Sequence, residues 1–286
     1  MLAAGALVAA FLAVFALVVS SGGSAGSDRG RSSSRRRGQN SSASDSGSSA
    51  SGEVRNATPQ SDWAAYTGPV PILEYHVLGA APADEPYPDL YVSRPDFHKQ
   101  MNWLDEHGYE AVTLEQVEAS WYHGATLPAK PVVISFDDGY RPHFTYALPE
   151  LRRHGWAGIL NLKAEGSDLY PSNIEAMIAA GWEIAAHTIH HLDLTELDAA
   201  QLEEEVTGSR RILRREYGVP VENFCYPAGQ FDETTIAAVK AAGYAGATTE
   251  IPGYAERESP YELARFEILG SGGLAGMVSD LRSGES

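Results

Sequence analysis

From Pro69 onward the chain alternates short continuous apolar runs with longer stretches in which apolar positions recur every three or four residues. These are the patterns of buried strands and of amphipathic helices. Strands are predicted over residues 70–73, 131–136, 158–162, 183–186, 223–226, 244–248 and 263–269. Between them, helices are predicted over residues 94–107, with Phe97, Met101 and Leu104 on one face, and over 171–180, 198–217 and 232–242. A further helix follows the strand ending at Phe136 and runs through His154. Thr113, three residues before Gln116, has the spacing of a capping box and starts one more helix that ends near Tyr122. Six or seven strands alternating with helices predict an α/β fold with a parallel sheet buried on both faces, open or closed into a barrel. In either form the site gathers at the C-terminal ends of the strands.

The N-terminal fifth follows neither pattern. Residues 2–19 are an unbroken apolar run about long enough to span a bilayer, and are read as a signal peptide or membrane anchor occupying residues 1–20. Gly23-Ser24-Ala25 offers a small-residue cleavage site. No basic residue precedes the run, whereas Arg29, Arg31, Arg35, Arg36 and Arg37 follow it. That order opposes export by the positive-inside rule, and suggests a true start upstream that carries a basic segment. No Cys follows the run, which excludes a lipoprotein anchor. Residues 21–60 are mostly Ser, Gly, Arg and small polar residues, a composition that cannot bury enough surface to fold and is read as a disordered tether. Residues 69–286 are left as the folded domain, outside the cytoplasm, secreted or held at the cell surface.

Charge narrows the partners. Residues 1–68 hold six Arg against Asp28, Asp45, Glu53 and Asp62, so the remainder carries −19 of a total −17. An acidic domain of this kind repels nucleic acid and other polyanions; a neutral polymer, or one that becomes cationic as it reacts, suits it better. Cys225 is the only cysteine, so no intrachain disulfide forms.

Two strand ends carry chemistry. Ser135-Phe136-Asp137-Asp138-Gly139 closes one buried strand, and adjacent acids there are costly unless something uses them. His187-Thr188-Ile189-His190-His191 closes another, and His187 and His191 have the spacing at which two imidazoles converge on one cation. Each motif alone has an ordinary reading, a polar turn or a surface His pair. Together they supply a carboxylate and two imidazoles, three ligands with open positions. His190 does not share the spacing and is read as a bystander.

At these residues the sequence resembles carbohydrate esterase family four, the NodB-like polysaccharide deacetylases, over about residues 69–269. The resemblance implies a distorted (β/α) barrel of about seven parallel strands. It implies Asp137 as general base, and Asp138, His187 and His191 as ligands of one divalent metal ion. Zinc is foremost, with nickel, cobalt or iron also suited to two His and one Asp. The family's R-x-x-Y-P motif is met by Asn223-Phe224-Cys225-Tyr226-Pro227, with Asn223 where an Arg orients the base, which leaves that role unfilled; the backbone N–H of Tyr226 is implied to bind the oxyanion. Leu73-Glu74-Tyr75-His76 is similar to the leading motif of a circularly permuted subgroup that includes poly-N-acetylglucosamine deacetylases, which makes His76 the general acid. Arg265, in Leu263-Ala264-Arg265-Phe266, is similar to a late motif and either orients an acidic site residue or forms a surface salt bridge.

The expected activity is metal-dependent hydrolysis of N-acetyl groups from an N-acetylglucosamine-containing polysaccharide. An O-acetyl esterase and a catalytically dead glycan-binding module are the alternatives. The expected partners are a neutral N-acetylated glycan, no nucleic acid, and a membrane through the N-terminal run; a monomer is expected. Specificity is expected in loops such as residues 79–90. Cys225 is expected to be a small packing residue, and Trp63, Trp103, Trp121, Trp156 and Trp182 to fill core more than to stack on sugar.

Overall fold

A computed structural model describes residues 54–283. The apolar run and most of the Ser/Gly/Arg-rich stretch lie outside the described residues. Among the described residues no helix is long and apolar enough to cross a membrane.

Seven parallel strands close into a barrel. In chain order they are β1 (Val70–Tyr75), β2 (Pro131–Asp137), β3 (Ile159–Leu162), β4 (Glu183–Ala186), β5 (Asn223–Cys225), β6 (Gly246–Pro252) and β7 (Leu263–Glu267). Each of β2 to β6 pairs with its neighbours in order. β1 closes the ring by pairing with β2 on one side, Tyr75 opposite Phe136, and with β7 on the other, Phe266 opposite Leu73. A barrel of this kind is a packed core, so alternate strand residues must fill its interior. Ile72, Val133, Ile159, Ala185 and Leu263 do so as one apolar layer, with Val112, Leu114, Val117 and Trp121 closing the N-terminal end beneath it. The other alternation, including Leu73, Tyr75, Phe136, Leu160 and Phe224, packs outward under the helices. Polar residues one step further along the same strands share one chamber at the C-terminal end.

The predicted helices form with the expected ends. Residues 94–107 give α1 (Arg94–Glu106), capped by Ser93, and Thr113 and Gln116 exchange both capping-box hydrogen bonds ahead of α2 (Leu114–His123). Two predicted helices are interrupted. The one expected over 198–217 is α-helical at Ala199–Glu203 and Ser209–Tyr217, with a wide π turn at Glu204–Gly208 between them. That turn aims Glu205 into the loop after β4, where its carboxylate accepts the N–H groups of Ile189 and His190. A second wide turn, His143–Ala147, precedes the helix Leu148–His154 and aims His143 at the loop after β1. Wide turns inside helices are commonly retained where they serve a site.

The folded part begins earlier than composition suggests, which corrects both the tether boundary at residue 60 and the domain start at 69. The Asn56 side chain is buried and donates to the Ala111 carbonyl, its backbone N–H bonds Gly155, and Ala64–Ala65 pairs with Thr126–Leu127. Polar Asn56 is held by hydrogen bonds and not by apolar burial, so hydropathy does not reveal it. The helix Gly273–Ser283 was also not predicted, because Gly270, Gly272 and Gly273 read as loop; it is held by Gln100 donating to the Gly273 carbonyl.

Candidate active site

The strand ends bring the predicted residues to one place. Asp138, the first residue past β2, stands in the left-handed region (φ 72°), as do Thr188 and His191 after β4 (φ 63° and 61°) and Ala228 after β5 (φ 49°). Each such non-glycine conformation costs on the order of 1–3 kcal/mol, and their clustering at one end of the barrel marks a site that strain helps to shape. Here the strain turns Asp138 and His191 toward His187. Asp138 Oδ1 lies 3.9 Å from His187 Nε2 and 3.7 Å from His191 Nε2.

These three side chains fit a metal ion. Their ligand atoms lie within 4.8 Å of one another, and Asp138 Oδ1 is buried without a hydrogen-bond partner. His187 Nδ1–H donates to the Cys225 carbonyl at 2.8 Å, which leaves Nε2 as a lone pair facing the cluster. Burial, then neighbouring His191, lowers the His187 pKa to about 4, so the ring is neutral as a ligand must be. Burial also lowers His191. Asp138 is held below the usual carboxylate range even though burial opposes it, because His187 and Lys163 face it. Lys163 Nζ stands 3.4 Å from Asp138 Oδ1.

Asp137, the last residue of β2, points into the barrel. Burial alone would raise its pKa, but Arg265, with His187 and His76, outweighs that and holds the carboxyl well below its ordinary value. Its Oδ1 accepts from Asn161 Nδ2 at 2.6 Å and from Arg265 Nη1 at 3.0 Å. Oδ2 faces the Cys225 thiol at 3.4 Å. His76, just past β1, completes the group: a ring nitrogen of His76 and carboxylate oxygens of Glu74 and Asp137 all lie within 4.8 Å of one another.

Three expectations change on this geometry, and those for the tryptophans and His190 do not. Asn223 is not at the site: it opens β5 at the other end of the barrel, and its Nδ2 donates to Glu183 and Glu118. The guanidinium that the Asn223 position lacks is present all the same, because Arg265 reaches Asp137 from β7; the role expected to be unfilled is filled, and Arg265 is fully buried, not a surface ion pair. The Tyr226 N–H donates to the Thr248 carbonyl at 3.1 Å as part of the β5–β6 ladder, so it is not available to an oxyanion. The tryptophans give no exposed platform: Trp63, Trp121, Trp156 and Trp182 are buried, and Trp103 is partly buried against the core. His190 does point away, to Glu205 at 2.6 Å.

Residues 124–247 match the model of the polysaccharide deacetylase family. This chain carries a polysaccharide deacetylase domain. It is 29% identical over 212 residues to the putative polysaccharide deacetylase YxkH of Bacillus subtilis, covering 72% of this chain and 73% of that one. Over 87 residues it is 31% identical to the poly-beta-1,6-N-acetyl-D-glucosamine N-deacetylase of Escherichia coli K12; that match covers 30% of this chain and only 13% of the relative. Among solved structures, the polysaccharide deacetylase BC0361 of Bacillus cereus superposes with a TM-score of 0.66 at 26% identity, covering 75% of this chain and 69% of that one.

Within the deacetylase domain two buried residues at the base were not singled out from sequence, though each leaves a trace there. Asn161 is a polar residue inside the apolar strand Ile159–Leu162, directly opposite Asp137 in the ladder. Glu74 is a charged residue inside the fully buried strand Val70–Tyr75. At the rim, Tyr140 faces Asp138, and burial together with that carboxylate raises its phenol pKa.

Proposed function

We propose that the domain hydrolyses N-acetyl groups of an N-acetylglucosamine-containing polysaccharide, releasing acetate and leaving a free amine on the sugar. The observation that carries this reading is the division of labour at the barrel mouth: a three-ligand cluster, a carboxylate held ionised beside it, and an imidazole next to that carboxylate. Asp138, His187 and His191 would hold one divalent ion, zinc being well suited to two imidazoles and a carboxylate. When bound, it supplies a Lewis acid to polarise the acetyl carbonyl.

The chain's own residues then act in order. Asp137 takes the proton of the attacking water on Oδ2, since Oδ1 is occupied by Asn161 and Arg265. Those two donors fix the carboxylate plane and keep the base charged. His76, at the end of the neighbouring strand β1, delivers a proton to the departing amine nitrogen. The acidity of the domain agrees with a neutral polymer that turns cationic on reaction. Support for a poly-N-acetylglucosamine-like substrate comes from the Escherichia coli relative and from the position of His76 just past the first strand. Action outside the cytoplasm, with the N-terminal apolar run as signal or anchor, belongs to the same proposal.

Acetate release from poly-β-1,6-N-acetylglucosamine, chitin oligomers, peptidoglycan and acetylated xylan, with and without chelator, tests it. The expected result is chelator-sensitive release from an N-acetylated polymer that Asp137→Asn abolishes. Release confined to xylan, or undiminished in Asp137→Asn, would overturn it.

A further inference from the structure

The other end of the barrel holds a second group of polar residues, on three strand starts and on one helix. Glu183 opens β4, Asn223 opens β5 and Gly246 opens β6, with Asn223 opposite Gly246 in the ladder. Glu118 joins them from the buried face of α2. Asn223 is fully buried and its amide is fixed in orientation: Nδ2 donates to Glu183 Oε1 at 2.9 Å and to Glu118 Oε2 at 3.2 Å, so both of its hydrogens are spent. Turning the amide over would set Oδ1 against two carboxylates. As it stands, Asn223 Oδ1 is buried without a hydrogen-bond partner, and so is Glu118 Oε1. Both oxygens aim at one place. A Cβ on Gly246 would lie 2.5 Å from Glu118 Oε1, 3.0 Å from Asn223 Oδ1 and 3.0 Å from the Pro260 carbonyl oxygen. The missing side chain of Gly246 thus leaves a cradle walled by a carboxylate, an amide oxygen and a backbone carbonyl.

We propose that this cradle, at the opposite end of the barrel from the candidate active site, is a structural site for a calcium ion. Carboxylate, amide and carbonyl oxygens are the ligands of a hard cation, and calcium accepts them in irregular sets that water completes. The charge points the same way. Glu118 is faced by Glu115 on its own helix and by Glu222 just ahead of β5, and it in turn faces Glu183 on β4. Among the described residues no Lys, Arg or His forms a salt bridge to Glu115, Glu118 or Glu183. Glu222 is spent on Arg210, at 2.7 Å. A water held by the two open oxygens would satisfy them as acceptors but would leave the buried charge uncompensated. Without an ion Glu118 meets that charge by keeping a proton, its pKa raised to about 7 by burial. Cation and proton therefore compete for one carboxylate.

The test is a calcium titration of the full chain, dialysed free of calcium and loaded with zinc so that the barrel mouth is already supplied. In thermal melts at about pH 8, wild type should gain about 5–10 °C at roughly a hundredfold excess of calcium over its dissociation constant. Isothermal titration should show an affinity that weakens about tenfold for each pH unit below about 7. Glu118→Gln should abolish the calcium response and keep the gain in Tm that zinc gives. Gly246→Ala, which puts a methyl group in the cradle, should abolish it too; if that variant does not fold, Glu118→Gln decides alone. No readout uses turnover, so the result is independent of the deacetylase reading. The proposal is overturned by a wild type indifferent to calcium, by a calcium response that survives in Glu118→Gln, or by equal responses to magnesium and calcium, which would mark screening of the acidic surface.

Discussion

Arg265→Met is the substitution on which the electrostatic reading of this barrel depends most directly. Arg265 is fully buried and makes four polar links: Nη1 to Asp137 at 3.0 Å and to Ser135 Oγ at 3.4 Å, Nη2 to Glu74 at 3.1 Å, and Nε to the Thr249 carbonyl at 2.8 Å. Met fills similar length without charge, so the loss is electrostatic more than steric. Removing one member of a buried ion pair costs about 3–5 kcal/mol, because the partner is left charged and unpaired. In a domain of roughly 230 residues each 1 kcal/mol corresponds to about 2–4 °C of Tm, so the melt at pH 7 should fall by roughly 6–20 °C. The sign with pH is also fixed. In wild type the Asp137 carboxyl is depressed, so it contributes stability above its unfolded value near 3.8 that is lost as pH falls further. In the variant Asp137 and Glu74 are buried without a cation and take up protons more readily than when unfolded. The variant's stability therefore improves on acidification. The gap between the two proteins should be widest near neutrality and narrow toward pH 4. Glu74→Gln in the Arg265→Met background should recover part of the loss, because it removes one of the two stranded carboxyls. A Tm within about 3 °C of wild type at pH 7, less than 1–2 kcal/mol, or a gap that does not change with pH, would show that Arg265 is filler.

Three other outcomes follow from the same structure. Burial raises Glu118 to about 7 at the far end of the barrel, so wild type should lose stability as pH rises from its ordinary 4.5 through about 7, and Glu118→Gln should flatten that slope in thermal melts; an equal slope in both proteins would refute it. Chelation should lower the Tm as well as acetate release, with zinc restoring both, since the ion binds only the folded cluster of Asp138, His187 and His191; a Tm indifferent to chelator would count against that cluster as a metal site. His190→Ala should leave acetate release within about twofold of wild type, because His190 pairs with Glu205 outside the cluster, in the range of ordinary surface substitutions; a tenfold loss would mean that the loop after β4 is set by that pair.

The fold and the clustering of Asp138, His187 and His191 were legible because each is carried by a local pattern. Buried parallel strands read as continuous apolar runs, and Asp138, His187 and His191 sit within a residue or a few of a strand's end. What was not legible depends on register. Resemblance left Arg265 open between orienting an acidic site residue and a surface ion pair; it is 128 residues from Asp137 in sequence, and nothing local says that β7 closes back on β1 and carries its guanidinium over Glu74 to Asp137. Asn223 failed as a site residue for the same reason: a position two residues earlier on its strand than Cys225 lies one interior layer lower, among Glu118 and Glu183. Tyr226 failed because its N–H, named as an oxyanion donor by resemblance, is one rung of the sheet once β5 and β6 pair.

The exchange of Asn223 for Arg265 shows what such a barrel constrains. Asp137 needs one guanidinium to remain ionised in a desolvated chamber, and the closed ring lets that group arrive from any strand whose interior side chain is long enough. Here β7 provides it, and the consequence is Glu74. An Arg rising from β5 would not lie against β1, whereas one on β7, paired with β1 in the register that sets Glu267 beside Glu74, passes directly over it. The buried acid is tolerable because of where the guanidinium enters, one cation facing both Glu74 and Asp137. A cation on β7 thus pairs with Asp137 and also with Glu74 on β1.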